Sequence, residues 1–197
     1  MQKSLYISLI AMLAATSGAL TEMHVMFPFP LLPFLEFDMA EIPDMVAFLL
    51  LGPEAGVAVA AIHCLLLYTL GSFTIFSPLM KFFAEASMFA GIILAKKFTS
   101  RGSVLAVTSI TFRVIIMLFV TLMLYYVIMP NIYLPTAKLA MSILHITYLP
   151  PIDIALLLVG LTSVFNAIAG AITYFVSYAI SLKLLKSFKI FDKSLIQ

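Results

Sequence analysis

Six predominantly apolar stretches, at about 5–22, 42–52, 55–70, 79–96, 104–128 and 152–185, follow one another with little polar sequence between them. A helix of about 20 apolar residues is what crosses the hydrocarbon core of a bilayer. Backbone at that depth must pair its own polar groups, and a helix does so. The 197 residues are 63% hydrophobic and only 10% charged, against about half and about a quarter in a soluble domain. The sequence therefore predicts an all-α, polytopic membrane protein, a compact bundle of six helices forming one integral membrane domain over 1–197, multi-pass in the cell membrane.

Charge placement orients the bundle. Lys3 precedes the first stretch, Lys96, Lys97 and Arg101 lie between the fourth and fifth, and Lys183, Lys186, Lys189 and Lys193 close the chain. Six crossings place all three groups in the cytoplasm, as the positive-inside rule requires, and leave Lys138 the one basic residue of the outer loops. The second stretch is short for a crossing, so a re-entrant hairpin pivoting on Gly52-Pro53, a turn signal, stands beside two full crossings. The first stretch has the basic start and small residues of a signal peptide, but the later spans give it partners and argue against removal. The net charge of +2 does not point to nucleic acid. The single cysteine, Cys64, excludes an intrachain disulfide and reads as a packing residue.

The segment over 24–41 is the least ordinary part. It combines Pro28, Pro30 and Pro33 with Phe27, Phe29, Phe34 and Phe37 and with acidic Glu36, Asp38 and Glu41. A solvated linker would be more polar, so the segment is expected to fold back as an outer lid. Beneath it, Lys81, Glu85 and Arg113 fall within apolar stretches, where each charge costs about 2.5–3.5 kcal/mol and so must be paired or face a wet cavity. Lys81 and Glu85 are one helical turn apart and can pair along it, and Glu85 is also within reach of Arg113. These charges either line a pocket or fix helix register. Asn166, with Thr162 and Ser163 before it, needs partners at membrane depth and binds either a neighbouring helix or a ligand. Tyr125, Tyr126 and Tyr133 read as an interfacial belt that could also stack on a planar ligand. His63 and His145 have no metal-ligand spacing, and no phosphate loop, zinc helix or nucleophile elbow is present. No metal, cofactor or catalytic residue is expected. Ala11, Ala15 and Ala19 share one face of the first helix and permit close helix approach, as do Ser163, Ala167 and Ala171 on the sixth; the pattern alone favours packing inside the bundle.

The segment FLEFDMAEIPDMVAFLLLGPEAGVAVAAI, at 34–62, resembles the substrate-binding S components of energy-coupling factor (ECF) transporters. The resemblance is nearest the riboflavin-binding type, where a similar F-D-x-x-[ED]-I-P segment precedes G-P-x-x-G. Residues 85–91 and VFNAIAG around Asn166 are weaker matches. The resemblance implies a subunit that captures a vitamin or related solute from outside, with riboflavin the leading ligand. Its partners would be a transmembrane coupling subunit, contacted by Ala11, Ala15 and Ala19, and two cytoplasmic ATPase subunits. The substrate-binding residues expected from this reading are Asn166, Glu85 and Lys81 as polar contacts, Phe37 and Tyr126 as apolar walls, and Asp38 in the lid. Two positions depart from the riboflavin-type pattern: Ala169 stands where a lysine is usual, and Leu124 where an asparagine precedes the paired aromatics. A small intramembrane enzyme using Glu85 with His63 or His145, and a structural subunit without a ligand, are the alternatives from other classes.

Overall fold

The computed structural model describes residues 3–70 and 74–187. Lys189 and Lys193, and Gly71 to Phe73 of the loop before the fourth stretch, lie outside the described residues. Helix α1 (Lys3–Glu22) leads to a hairpin of β1 (Met26–Phe29) and β2 (Leu32–Asp38), then α2 (Glu41–Leu51), α3 (Pro53–Leu70), α4 (Ser77–Lys96) and α5 (Gly102–Leu122). A π-helical segment, Met123–Ile128, extends α5; short helices α6 (Pro130–Tyr133) and α7 (Ala137–Ile143) precede the long α8 (Pro151–Ser187). Lys3–Glu22, Ser77–Lys96, Gly102–Ile128 and Pro151–Ser187 are each long and apolar enough to cross a membrane, and α3 is a shorter apolar helix. The protein is a polytopic, essentially helical membrane protein.

The shortness of α2 has a structural explanation. Its 11 residues reach about 16 Å at 1.5 Å per residue, roughly half the hydrocarbon thickness. Strand β2 leads almost directly into it, and strand plus helix together extend roughly 40 Å. Non-helical backbone is tolerated at such depth only when protein encloses it. Leu32 and Asp38, the two ends of β2, are buried, as is α2 on nearly every side. Hydroxyls from the flanking helices brace the junction: Ser17 Oγ donates to the Ala40 carbonyl at 2.7 Å and Ser177 Oγ to that of Ile42 at 3.1 Å.

The segment expected to form a lid is thus a strand pair where sequence suggested only a loop. Met26 pairs with Asp38, Phe27 with Phe37 and Pro28 with Glu36, before the register shifts between Pro28 and Phe29. A two-stranded hairpin has free edges on both sides, so its prolines, which cannot donate to a ladder, are accommodated. Between α2 and α3, Gly52 adopts φ 104°, a conformation that side chains disfavour, and Pro53 starts the next helix without needing a backbone donor. The turn predicted at Gly52-Pro53 is present.

Two large apolar clusters divide the bundle, beside a small third one of Ala14, Ala47 and Val59. One joins α2, α4, α5 and α8, with Phe48 and Phe89 stacked at 4.5 Å between ring centroids. Gly91 permits the α4–α5 approach, since a Cβ there would fall 2.7 Å from the Thr108 carbonyl oxygen. The second cluster joins the hairpin to the π-helical segment, α6, α7 and the start of α8. Tyr174 donates to the Gly102 carbonyl at 3.1 Å, which sets the second half of α8 against the start of α5.

Candidate functional site

Where the hairpin meets α4, α5 and α8, the two clusters leave a cavity of about 610 Å³, counting its open mouth. Its aromatic wall comes from the second cluster. Phe34 lies edge-on to Tyr125 and Tyr133, with centroids 6.1 and 5.6 Å away, and the two tyrosine rings are 4.5 Å apart. Hydroxyl contacts hold both rings: Tyr125 with Thr162 at 3.2 Å, Tyr133 with Thr74 at 2.9 Å. Burial pushes the Tyr133 hydroxyl above its usual pKa, so it is neutral at physiological pH. Tyr125 sits in the π-helical segment; such segments are frequent at functional sites.

The polar part of the wall is built around Arg113. Its Nη1 and Nη2 donate to the two carboxylate oxygens of Glu41 at 2.6 and 3.1 Å, and its Nε donates to Asn166 Oδ1 at 3.1 Å. Thr173 donates to Glu41 at 3.0 Å, and Asn166 Nδ2 donates to the Thr162 carbonyl at 2.9 Å. Arginine, glutamate and asparagine all line the cavity, and each is almost completely buried. An amide has two donor and two acceptor positions, so Asn166 keeps one of each beyond its protein partners. Gly170 gives the arginine room: a Cβ there would lie 3.2 Å from Arg113 Cδ.

The structure places the sequence-predicted residues unequally. Lys81 and Asn166 line the cavity. Lys81 is paired with Asp38, not with Glu85, across from α4 to the end of β2. Asp38 also accepts the Ala40 backbone N–H at 2.8 Å, which fixes the strand-to-helix junction. Arg113 takes Glu41 as its carboxylate, not Glu85. Phe37 packs behind the wall against Phe165, at 4.8 Å between centroids. Tyr126 is exposed on the outside of the bundle, while Tyr125 and Tyr133 point in, so the belt reading fits the first only. Leu124 lines the cavity, whereas Ala169 is buried among apolar neighbours. Ala11, Ala15 and Ala19 are exposed on α1, not packed within the bundle, and Ser163, Ala167 and Ala171 are half-buried.

Glu85 is buried behind the cavity beside His63, whose Nδ1 is 3.7 Å from Glu85 and 2.7 Å from Asp44. His145 is exposed, in the segment between α7 and α8. Sequence reading passed over Glu41 as a cavity residue, although it holds the [ED] position of the F-D-x-x-[ED]-I-P segment. It also passed over Phe34 and Phe165, which carry no polar signal.

No family model matches the chain. A riboflavin transporter, RibU, of Staphylococcus aureus (strain TCH60) is 35% identical over 88 residues, which are 44% of this chain and 46% of that protein. The match thus spans about half the length of that relative. The solved S component of a bacterial ECF transporter superposes with a TM-score of 0.68 at 25% identity, over 94% of this chain and 98% of that one. The chain is an S component in fold. Nearly full coverage of both chains means that the likeness extends over the whole fold. The cavity under the hairpin is an open-mouthed space with polar and aromatic walls.

Proposed function

We propose that this S component is the substrate-capture subunit of an ECF-type importer, taking a planar aromatic, vitamin-like solute from outside the cell. The chain would cross the membrane six times with both termini in the cytoplasm, and separate partner subunits would hydrolyse ATP. The observation that carries the reading is the cavity itself, an aromatic wall of Phe34, Tyr125 and Tyr133 facing the Arg113–Glu41–Asn166 group. Such a pairing of π-faces with a few fixed polar groups recognises a flat heteroaromatic ring by its face and its edge. Riboflavin is the leading ligand, supported by the likeness to the riboflavin transporter. Leu124 in the wall and Ala169 in place of a lysine would shift recognition onto Arg113, Glu41 and Lys81. The exposed row of Ala11, Ala15 and Ala19 is the proposed contact for the coupling subunit, because small residues let a partner helix approach closely.

The test is native mass spectrometry and ultraviolet-visible absorption on the detergent-purified chain, followed by titration with riboflavin. A co-purifying flavin, or saturable binding of one flavin per chain that weakens in Asn166→Ala, is the expected result. Binding of another vitamin instead would keep the capture role and replace the ligand. A folded chain that binds none of a vitamin panel would favour a structural subunit and overturn the proposal.

A further inference from the structure

The buried ionisable residues continue behind the cavity, beyond those that line it. Asp38, Glu41, Asp44, Glu85, His63 and Arg113 are all nearly inaccessible, with Lys81 half-buried beside them. Two ion pairs account for part of the charge, Lys81 with Asp38 and Arg113 with Glu41. What remains is Asp44 on α2, His63 on α3 and Glu85 on α4. With a neutral imidazole and both carboxyls ionised, these three would carry two uncompensated negative charges in the bundle interior, where an unpaired charge costs several kcal/mol.

Hydrogen-bond geometry sharpens the point. Thr21 Oγ1 lies 3.1 Å from the Ser17 carbonyl, to which it donates, and 3.1 Å from His63 Nε2. As the site stands, His63 Nδ1 donates to Asp44 Oδ2 at 2.7 Å and lies 3.7 Å from Glu85 Oε1; with an ion on Nδ1, the ring proton would sit on Nε2 and donate to Thr21. Asp44 Oδ1 and Glu85 Oε2 are buried and accept no hydrogen bond from the described residues. One donor atom from each of the three residues falls within 4.8 Å of the others. Donors on one ion at about 2.0–2.2 Å lie roughly 3 to 4.4 Å apart, so the 2.7 Å Nδ1–Oδ2 pair would open slightly and the wider contacts would close to complete the set.

We propose that Asp44, His63 and Glu85 bind one divalent transition-metal cation, of the zinc or manganese class. One imidazole and two carboxylates suit such an ion, its charge cancels the local deficit of two, and the Thr21 contact is the outer-shell bond that orients a metal-ligating histidine. The ion would clamp α2, α3 and α4 behind the cavity floor.

The experiment uses the full-length, detergent-purified chain carrying His24→Ala and His145→Ala, which leaves His63 the only histidine of three. The chain is stripped with chelator, equilibrated with Zn2+ or Mn2+, desalted and assayed for metal. One ion per chain is expected, with at least tenfold weaker binding in Asp44→Asn and in Glu85→Gln. Zinc-edge absorption on the loaded parent should show nitrogen and oxygen neighbours including one imidazole. This readout does not depend on the folding of the variants. A parent that retains no metal, a sulfur neighbour from Cys64, or retention unchanged in both variants would overturn the proposal. Proton uptake near neutral pH in place of metal binding would also overturn it and assign the two missing charges to protons.

Discussion

Arg113 and Glu41 face each other through two parallel hydrogen bonds, 2.6 and 3.1 Å long, between the middle of α5 and the first turn of α2. The pair connects the strand-to-helix junction to the long helices and forms part of the cavity wall. A buried pair of this kind contributes little beyond an apolar substitute, yet losing one partner strands the other. Arg113→Ala should therefore destabilise the protein by about 3–5 kcal/mol, read as a lower thermal or denaturant midpoint in detergent. The double variant Glu41→Gln, Arg113→Met should recover much of that loss while ligand affinity stays low. Recovery of affinity along with stability would mean that the pair shapes the fold and does not read the ligand.

The two adjacent tyrosines of the π-helical segment provide a matched comparison. Tyr125 is buried in the cavity wall and bonded to Thr162, while Tyr126 is 42% exposed on the outer surface. Tyr125→Ala removes the ring contacts with Phe34 and Tyr133, each aromatic pair being worth about 0.5–1.5 kcal/mol beyond its area. It should weaken ligand binding by tenfold or more. Tyr126→Ala should leave affinity within twofold, as measured by the same titration. Equal losses at both positions would contradict the inward and outward assignment.

Much of the architecture was legible in the sequence because membrane helices announce themselves by length and apolarity. The long helices and the turn at Gly52-Pro53 follow from local chemistry. The hairpin did not, because three prolines within six residues argue against strands, and only the free edges of a two-stranded sheet show why they are tolerated. The charge pairings were also out of reach. Spacing along one helix connects Lys81 to Glu85, but Lys81 meets Asp38, 43 positions away, and Arg113 meets Glu41, 72 positions away. Pairing across helices depends on which faces meet, and single-sequence periodicity does not carry that information. Tyr125 and Tyr126 differ by only one residue, and the π-helical turn decides which of them points inward.

Gly91 reports on the α4–α5 contact. A Cβ there would lie 2.7 Å from the Thr108 carbonyl oxygen and 2.9 Å from Ser109 Cα. Both are backbone atoms that cannot swing away, so the helices would have to separate. Gly91→Ala should cost about 1–3 kcal/mol, as overpacking in a well-filled interior does. A thermal melt of the detergent-purified variant checks it. An unchanged midpoint would mean that the two helices are less closely fitted than their geometry indicates.

The alanine row on α1 separates capture from delivery. Ala11, Ala15 and Ala19 are exposed, so Ala15→Trp adds a large side chain to the outer face without disturbing the cavity or the buried Ala14 and Ser17 behind it. If a coupling subunit docks here, the added ring holds the two helices apart, because close backbone approach is what small residues permit. The variant should keep the parent's melting midpoint and ligand affinity, yet lose co-purification with the partner subunits and ATP-driven uptake in reconstituted vesicles. A fall in ligand affinity would show instead that α1 supports the cavity. Uptake at the parental rate would place the coupling surface on another face of the bundle.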